Sequence, residues 1–172
     1  MLSSTFTDLS EHRKRAIDAI SKLGYVPRVM EHSGAQAETD VIDTSLAMVR
    51  DAAAYVGLIG QKYGQTPYDA LRNPDRHSIT ELEFNEAMRL GLPIVLFLMG
   101  DEHPIRKADI EADPEKRRKL DAFRERAKRM RRDGEQPGSV LDRRRDRGGD
   151  PLFGGNRRRA RGVGVRKCVS DQ

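Results

Sequence analysis

Short apolar runs alternate with amphipathic stretches over residues 1–132, and the alternation lays out a succession of strands and helices. Leu2 to Ser4 read as the stub of a strand. Residues 8–23 follow as a helix, with Leu9, Ala16, Ile17, Ile20 and Leu23 at helical spacing and Gly24 as the stop. Residues 25–30 read as a second strand, placed at an edge or irregular at its start by Pro27, which has no N–H to give a ladder. A helix over 40–53 turns Val41, Ile42, Leu46, Ala47 and Val49 inward. Then come a strand over 54–59, a loop rich in Gly, Pro, Asn and Asp over 60–77, a helix over 78–90 and a wholly apolar strand over 93–99. Asp113-Pro114 opens a last, highly charged helix to about residue 132. Its inward stripe is narrow, Leu120, Phe123, Ala127 and Met130, so it is expected at the margin of the sheet.

Strands that alternate with helices imply an α/β fold: a doubly wound, mostly parallel sheet of about four strands with helices on both faces. The first strand is expected to be cut short, because the chain starts only two residues before a Ser-Ser-Thr turn. The pattern ends after residue 132, which divides the chain into an α/β domain, 1–132, and a tail, 133–172, with nine arginines, eight glycines and no aliphatic periodicity. Three readings of the tail stand side by side: a disordered arm that binds nucleic acid or an acidic partner, a solvated tail, and an out-of-frame stretch of a GC-rich gene. On each of them it supplies neither a further strand nor a closing helix.

Charge sharpens this division. Residues 133–172 hold ten Lys+Arg against six Asp+Glu, and that net +4 leaves only +1 of the total +5 for the body. Nucleic acid is therefore not expected as a partner except through the tail. The longest apolar run, 92–99, is too short to cross a bilayer and the start of the chain lacks a secretory pattern, so no membrane contact and a cytoplasmic location are expected. Cys168 has no second cysteine to pair with, and His12, His32, His77 and His103 show no ligand spacing; neither a metal nor a cofactor is implied.

In such sheets ligands sit in the crevice at the carboxyl ends of the strands, which directs attention to three segments. Ser3, Ser4, Thr5 and Asp8 lead into a helix N-terminus suited to an anion, or simply cap that helix. Gly60, Tyr63 and Gly64 follow a strand and either let backbone approach a ligand, with Tyr63 as a stacking face, or serve turn geometry alone. In the third segment Ser78-Ile79-Thr80-Glu81 has the form of a capping box, which makes Glu81 the reciprocal cap of its own helix. Glu83 differs: at 100° per residue it falls between Ile79, Ala87 and Leu90, in the middle of the stripe that faces the sheet, while Glu86 lies toward its edge. A carboxylate there is costly unless a cation or hydrogen-bond donors meet it, and perturbed acids gather at functional sites. Arg13 interrupts the apolar face of the first helix in the same way, between Leu9 and Ile17. Glu83 and Arg13 are either a buried structural ion pair or part of a ligand site. There is no Walker loop and no nucleophile elbow.

Ser3-Ser4-Thr5-Phe6-Thr7-Asp8-Leu9, His12-Arg13, Tyr55-Val56-Gly57-Leu58-Ile59-Gly60 with Tyr63-Gly64, and Ser78-Ile79-Thr80-Glu81-Leu82-Glu83-Phe84 through Gly91-Leu92-Pro93 resemble the domain-of-unknown-function family 4062. His12 stands where members of that family commonly have glutamate. The resemblance implies a flavodoxin-like fold similar to TIR domains and nucleoside 2-deoxyribosyltransferases, in modules joined to NTPase or repeat regions of signalling and defence proteins. Both relatives carry a glutamate four residues before a small residue and eight before a glycine, and Glu83, Ala87 and Gly91 have that spacing. It therefore selects Glu83 as the catalytic residue, for attack on or stabilisation of an anomeric carbon. Three functions are expected in turn: a TIR-like interaction module of signalling or defence type that self-associates; a nucleotide-binding N-glycosidic enzyme acting on NAD or a nucleoside through Glu83; and nucleic-acid binding through the tail.

Overall fold

The computed structural model describes residues 1–5, 9–30, 38–133 and 165–167. Its elements run β1 (Leu2–Ser4), α1 (Ser10–Lys22), α2 (Glu38–Arg50), β2 (Tyr55–Ile59), α3 (Ile79–Arg89), β3 (Ile94–Leu98), a single 3-10 turn (Lys107–Asp109), α4 (Pro114–Asp133) and β4 (Val165–Lys167). The strands pair in parallel in the order β1-β2-β3-β4, with Ser3 beside Gly57 and Gly57 beside Leu96. The expected strand over 25–30 is reduced to one parallel bridge, Leu2 to Val29, and one hydrogen bond in which the Leu2 N–H donates to the Arg28 carbonyl at 2.8 Å. Pro27 cannot donate, and Tyr25 and Val26 lie exposed, so nothing extends the ladder beyond that point. Even so the segment sits outside β1, and counting it in chain order gives 2-1-3-4-5, the order of flavodoxin-like doubly wound sheets.

The two faces of the sheet follow from the alternation of side chains along each strand. Tyr55, Ile59, Ile94, Leu96 and Leu98 point to one side, where Val49 of α2, Phe84 and Ala87 of α3 and Leu120, Phe123 and Ala127 of α4 close the larger core. Leu2 and Leu58 point to the other side and pack with Leu9 and Met99 against Ala16, Ile17 and Ile20 of α1. Gly57 faces the first side in close packing: a Cβ there would stand 2.7 Å from Leu96 Cδ2 and 3.0 Å from the Tyr55 ring.

Two expectations are corrected here. α4 is no marginal helix, since its stripe enters the main core and the Phe123 ring meets Phe84 edge-on at 5.3 Å between centroids. The narrow stripe suffices because two arginines of α4 find partners of their own. Arg124, 6 % exposed, donates to the Gly60 carbonyl at 2.8 Å and the Met99 carbonyl at 2.7 Å, and Arg126 donates to Glu81 at 2.7 Å. The tail, expected to give no strand, provides β4 on the open side of β3. A parallel ladder needs only backbone N–H and C=O groups, so it can form on a segment without any apolar rhythm.

Candidate functional site

β1 and β2 are adjacent, yet the chain leaves them toward opposite faces of the sheet, and the crevice at their carboxyl ends is a topological switch point. A cavity of about 360 Å³ opens there, lined among others by Ser3, Ser4, Thr5, Arg13, Gly64 and Glu83. α3 brings Glu83 to it. The Ser78 hydroxyl caps that helix by accepting the Glu81 N–H at 3.2 Å, and Phe84 and Ala87 fix its rotation by packing on the sheet. Glu83, three residues from Thr80 and four from Ala87, then turns toward β1 with 2 % of its surface exposed.

The Ser3 hydroxyl donates to Glu83 Oε2. Burial pushes the Glu83 carboxyl up from 4.5 to about 7, against the opposing influence of that hydrogen bond, of the Arg13 charge and of the amino terminus. Tyr55 lies beneath, its hydroxyl donating to the Thr80 carbonyl at 3.3 Å, and burial beside Glu83 raises it well above the usual phenol range. Arg13 donates through Nη2 to the Met30 carbonyl at 2.9 Å and acts on Glu83 through its charge. The Ser4 hydroxyl is buried without a hydrogen-bond partner, a donor and acceptor left over on a wall of the cavity.

Of the residues singled out by sequence, Ser3, Ser4, Thr5, Arg13, Gly64 and Glu83 therefore meet at one cavity. Asp8 lies outside the described residues. Gly60 and Tyr63 do not line the cavity. Gly60 gives its carbonyl to Arg124, and Tyr63 sinks its ring into the main core, 1 % exposed, while its hydroxyl donates to Glu81 Oε2. That bond also corrects the reading of Glu81. The Ser78 half of the capping box forms, but the Glu81 carboxylate is taken by Tyr63 and Arg126 and does not return to its own helix start. Glu86 is a structural ion-pair acid, bound by Arg50 at 2.7 Å and by Arg89 at 2.7 Å and held down at about 2, chiefly by Arg89.

Sequence reasoning missed Lys62, Thr80, Glu111 and Lys116, which also line the cavity. Glu111 accepts the Tyr63 backbone N–H at 3.1 Å, and Lys116 Nζ donates to the Gly64 carbonyl at 3.3 Å. The available signal was topological, because a helix that follows a parallel strand starts at the crevice end of the sheet, which brings the first turn of α4 to the site. Among the described residues no group of three or more His, Cys, Asp or Glu side chains gathers to hold a metal ion, and no helix is long and apolar enough to cross a membrane.

The family described as "Domain of unknown function (DUF4062)" matches residues 1–137. No curated protein matches the chain.

Proposed function

The chain belongs to the DUF4062 family, and on that premise we propose that its crevice binds a nucleotide or nucleoside, NAD among the candidates, and that Glu83 carries N-glycosidic chemistry on it. The observation that supports this is a buried carboxyl, raised to about 7, facing a cavity of ligand size at the switch point of a doubly wound sheet. Such perturbation is costly to the fold and is what a reactive carboxylate requires. The step is a displacement: a Glu83 oxygen bonds to the anomeric carbon as the bond to the base nitrogen breaks, and the electron pair leaves with the base. Nicotinamide leaves neutral without a proton, while the base of a nucleoside takes a proton from solvent as it leaves. Water then attacks the glycosyl ester, loses a proton and regenerates the carboxylate. The Ser3 hydroxyl steadies the second oxygen.

Only the ionised carboxylate attacks, so base release rises with pH through about 7. Chromatography of nicotinamide released from NAD, and of bases released from nucleosides, measures it. The expected result is release that is greater at pH 8 than at pH 6 and abolished in Glu83→Gln, together with thermal stabilisation by the ligand. Absence of both release and stabilisation at millimolar ligand sinks the proposal.

A second reading, an interaction module of TIR-like type in a signalling or defence protein, is favoured by a different observation. Leu23, Tyr25 and Val26, 74 %, 65 % and 86 % exposed, follow one another where the chain leaves α1 toward the segment that bridges β1 at Val29. On this reading the full chain self-associates, and light scattering shows a mass that rises with concentration in the parent and stays monomeric in Val26→Asp. Nucleic-acid binding remains a proposal about the tail, residues 133–172, of which residue 133 and β4 alone are described; salt-sensitive DNA binding that vanishes on deleting the tail is its test.

A further inference from the structure

The Glu83 chemistry leaves Tyr55 unused, although its hydroxyl lies beneath the carboxyl. Gly57 is the reason it lies there. Side chains two apart on a strand share a face, so a side chain at position 57 would crowd the space beside Tyr55. Glycine leaves that space empty and the Tyr55 ring fills it: a Cβ at 57 would stand 3.0 Å from Tyr55 Cε1 and 3.4 Å from its hydroxyl oxygen. Ser3 pairs with Gly57 across the β1–β2 ladder, and its side chain turns to the face that holds Glu83. The gap at Gly57 thus brings a phenol from β2 under a hydroxyl from β1. All three groups are closed to solvent, with Tyr55, Ser3 and Glu83 0 %, 3 % and 2 % exposed.

Their polar atoms form a line. The Ser3 hydroxyl donates to Glu83 Oε2, the Tyr55 hydroxyl donates to the Thr80 carbonyl at 3.3 Å, and the Tyr55 oxygen is a second acceptor within reach of Ser3. With Glu83 ionised, both hydroxyl protons have acceptors. When Glu83 takes up a proton from the crevice, its acid hydrogen goes to the Ser3 oxygen, the Ser3 hydrogen turns to the Tyr55 oxygen, and the Tyr55 hydrogen stays on the Thr80 carbonyl. Again every proton has an acceptor, and the one on Glu83 is the only proton gained. Without such a chain a buried carboxyl leaves a donor unpaired in one of its two states. Glu83, which burial raises to about 7, occupies both states near neutrality.

We propose that Ser3 and Tyr55 form a reversible hydrogen-bond relay, with Tyr55 as its positioning end, that accommodates Glu83 both as carboxylate and as neutral acid. Its use in catalysis rests on the nucleotide reading given above: Ser3 donates to the carboxylate before attack, and its hydrogen is free to turn toward Tyr55 once the glycosyl ester removes that charge.

The test is a carbon-13 NMR titration of the Glu83 carboxyl in the full chain without ligand, the signal being assigned by its loss in Glu83→Gln. Among the described residues the charged groups that face Glu83 are Arg13 of α1 and the amino group of Met1, with Lys62, Glu111 and Lys116 across the cavity. These and every other charge around the crevice are common to the parent and the variants, and they cancel in the comparison. Expected is movement in opposite directions. Tyr55→Phe removes the last acceptor of the neutral state and titrates about one pH unit lower than the parent; Ser3→Ala removes the donor of the ionised state and titrates about one pH unit higher. Loosened packing alone admits water and lowers both. Replacement of the four tyrosines by 3-fluorotyrosine weakens the oxygen as an acceptor, keeps the ring and lowers the Glu83 titration, which carries the test where Tyr55→Phe does not fold. An unchanged titration on altering Tyr55, or movement of both positions in one direction, overturns the relay and leaves the nucleotide reading standing. Opposite movement with neither base release nor stabilisation by ligand keeps the relay and removes the nucleotide reading. Where base is released, its rise with pH follows the titration of each variant.

Discussion

Two carboxyls three residues apart on α3 are set in opposite directions by what meets them, and the fold's response to pH separates them. Glu83 is raised from 4.5 to about 7, so between those values the native state holds a proton that the unfolded chain has released. Its contribution is fully present below pH 4.5 and is lost as pH rises through about 7, an effect of up to about 3 kcal/mol at 1.4 kcal/mol per unit. Glu86 is lowered to about 2, so its contribution is present above 4.5 and is lost as pH falls toward 2. Urea unfolding across pH 4 to 8 is expected to show stability that declines toward neutrality in the parent and is flatter in Glu83→Gln, which is the more stable chain at pH 8. Glu86→Gln instead flattens the acid side. A Glu83→Gln profile that keeps the parent slope would contradict the placement of this carboxyl. Both residues were legible in the sequence because helical phase locates an acid on an apolar stripe. The same phase marks Arg124, between Leu120 and Ala127, and there the sign of the charge matters less than the interruption itself. Gly57 was not legible as a packing constraint, since the atoms that crowd it belong to β3 and to its own neighbour Tyr55. Gly57→Ala is expected to cost about 1–3 kcal/mol by overpacking, read as a lower urea midpoint.

At the scale of elements, α4 holds the crevice together from below. Its Arg124 side chain gathers carbonyls from the ends of β2 and β3, with Asp101 3.6 Å away on the side of its charge. Removing the guanidinium takes a donor from the Gly60 and Met99 carbonyls, while the Ile59 carbonyl keeps the Met99 N–H, and Arg124→Met is expected to destabilise by on the order of 3 kcal/mol, more than Arg126→Met, whose site is partly open to solvent. Thermal melts of the two variants compare them; equal shifts would show that Arg124 does not brace the strand ends. The succession of helices and parallel strands was readable from β1 to α4 because each buries a periodic face. What the reading lost is what carries no face: the 25–30 segment, whose apolar Tyr25 and Val26 face outward, and the polar residues Lys62, in the loop after β2, and Lys116, in the first turn of α4, whose place at one cavity depends on the order of the strands. Tyr63 was misplaced for a related reason. A tyrosine after a glycine turn reads as exposed, but Glu81 offers its hydroxyl a buried acceptor and the ring follows it into the core.

At the scale of the whole molecule, both described cores are built from residues 1–130, while β4 adds three ladder residues to β3. Backbone pairing of that length contributes little beside two packed faces, but it covers an edge that otherwise presents free N–H and C=O groups. The two effects predict different consequences for a chain ended at residue 133. Such a chain is expected to keep the far-ultraviolet circular dichroism of its helices and to unfold in one cooperative transition, a few degrees below the parent. Its mass in light scattering rises more steeply with concentration, because the bare edge of β3 pairs with another copy. Loss of the cooperative transition in the shortened chain would instead make β4 and the residues leading to it an integral part of the fold. In that case the sequence division at residue 132, drawn where apolar periodicity stops, marks the end of a pattern and not the end of the folding unit.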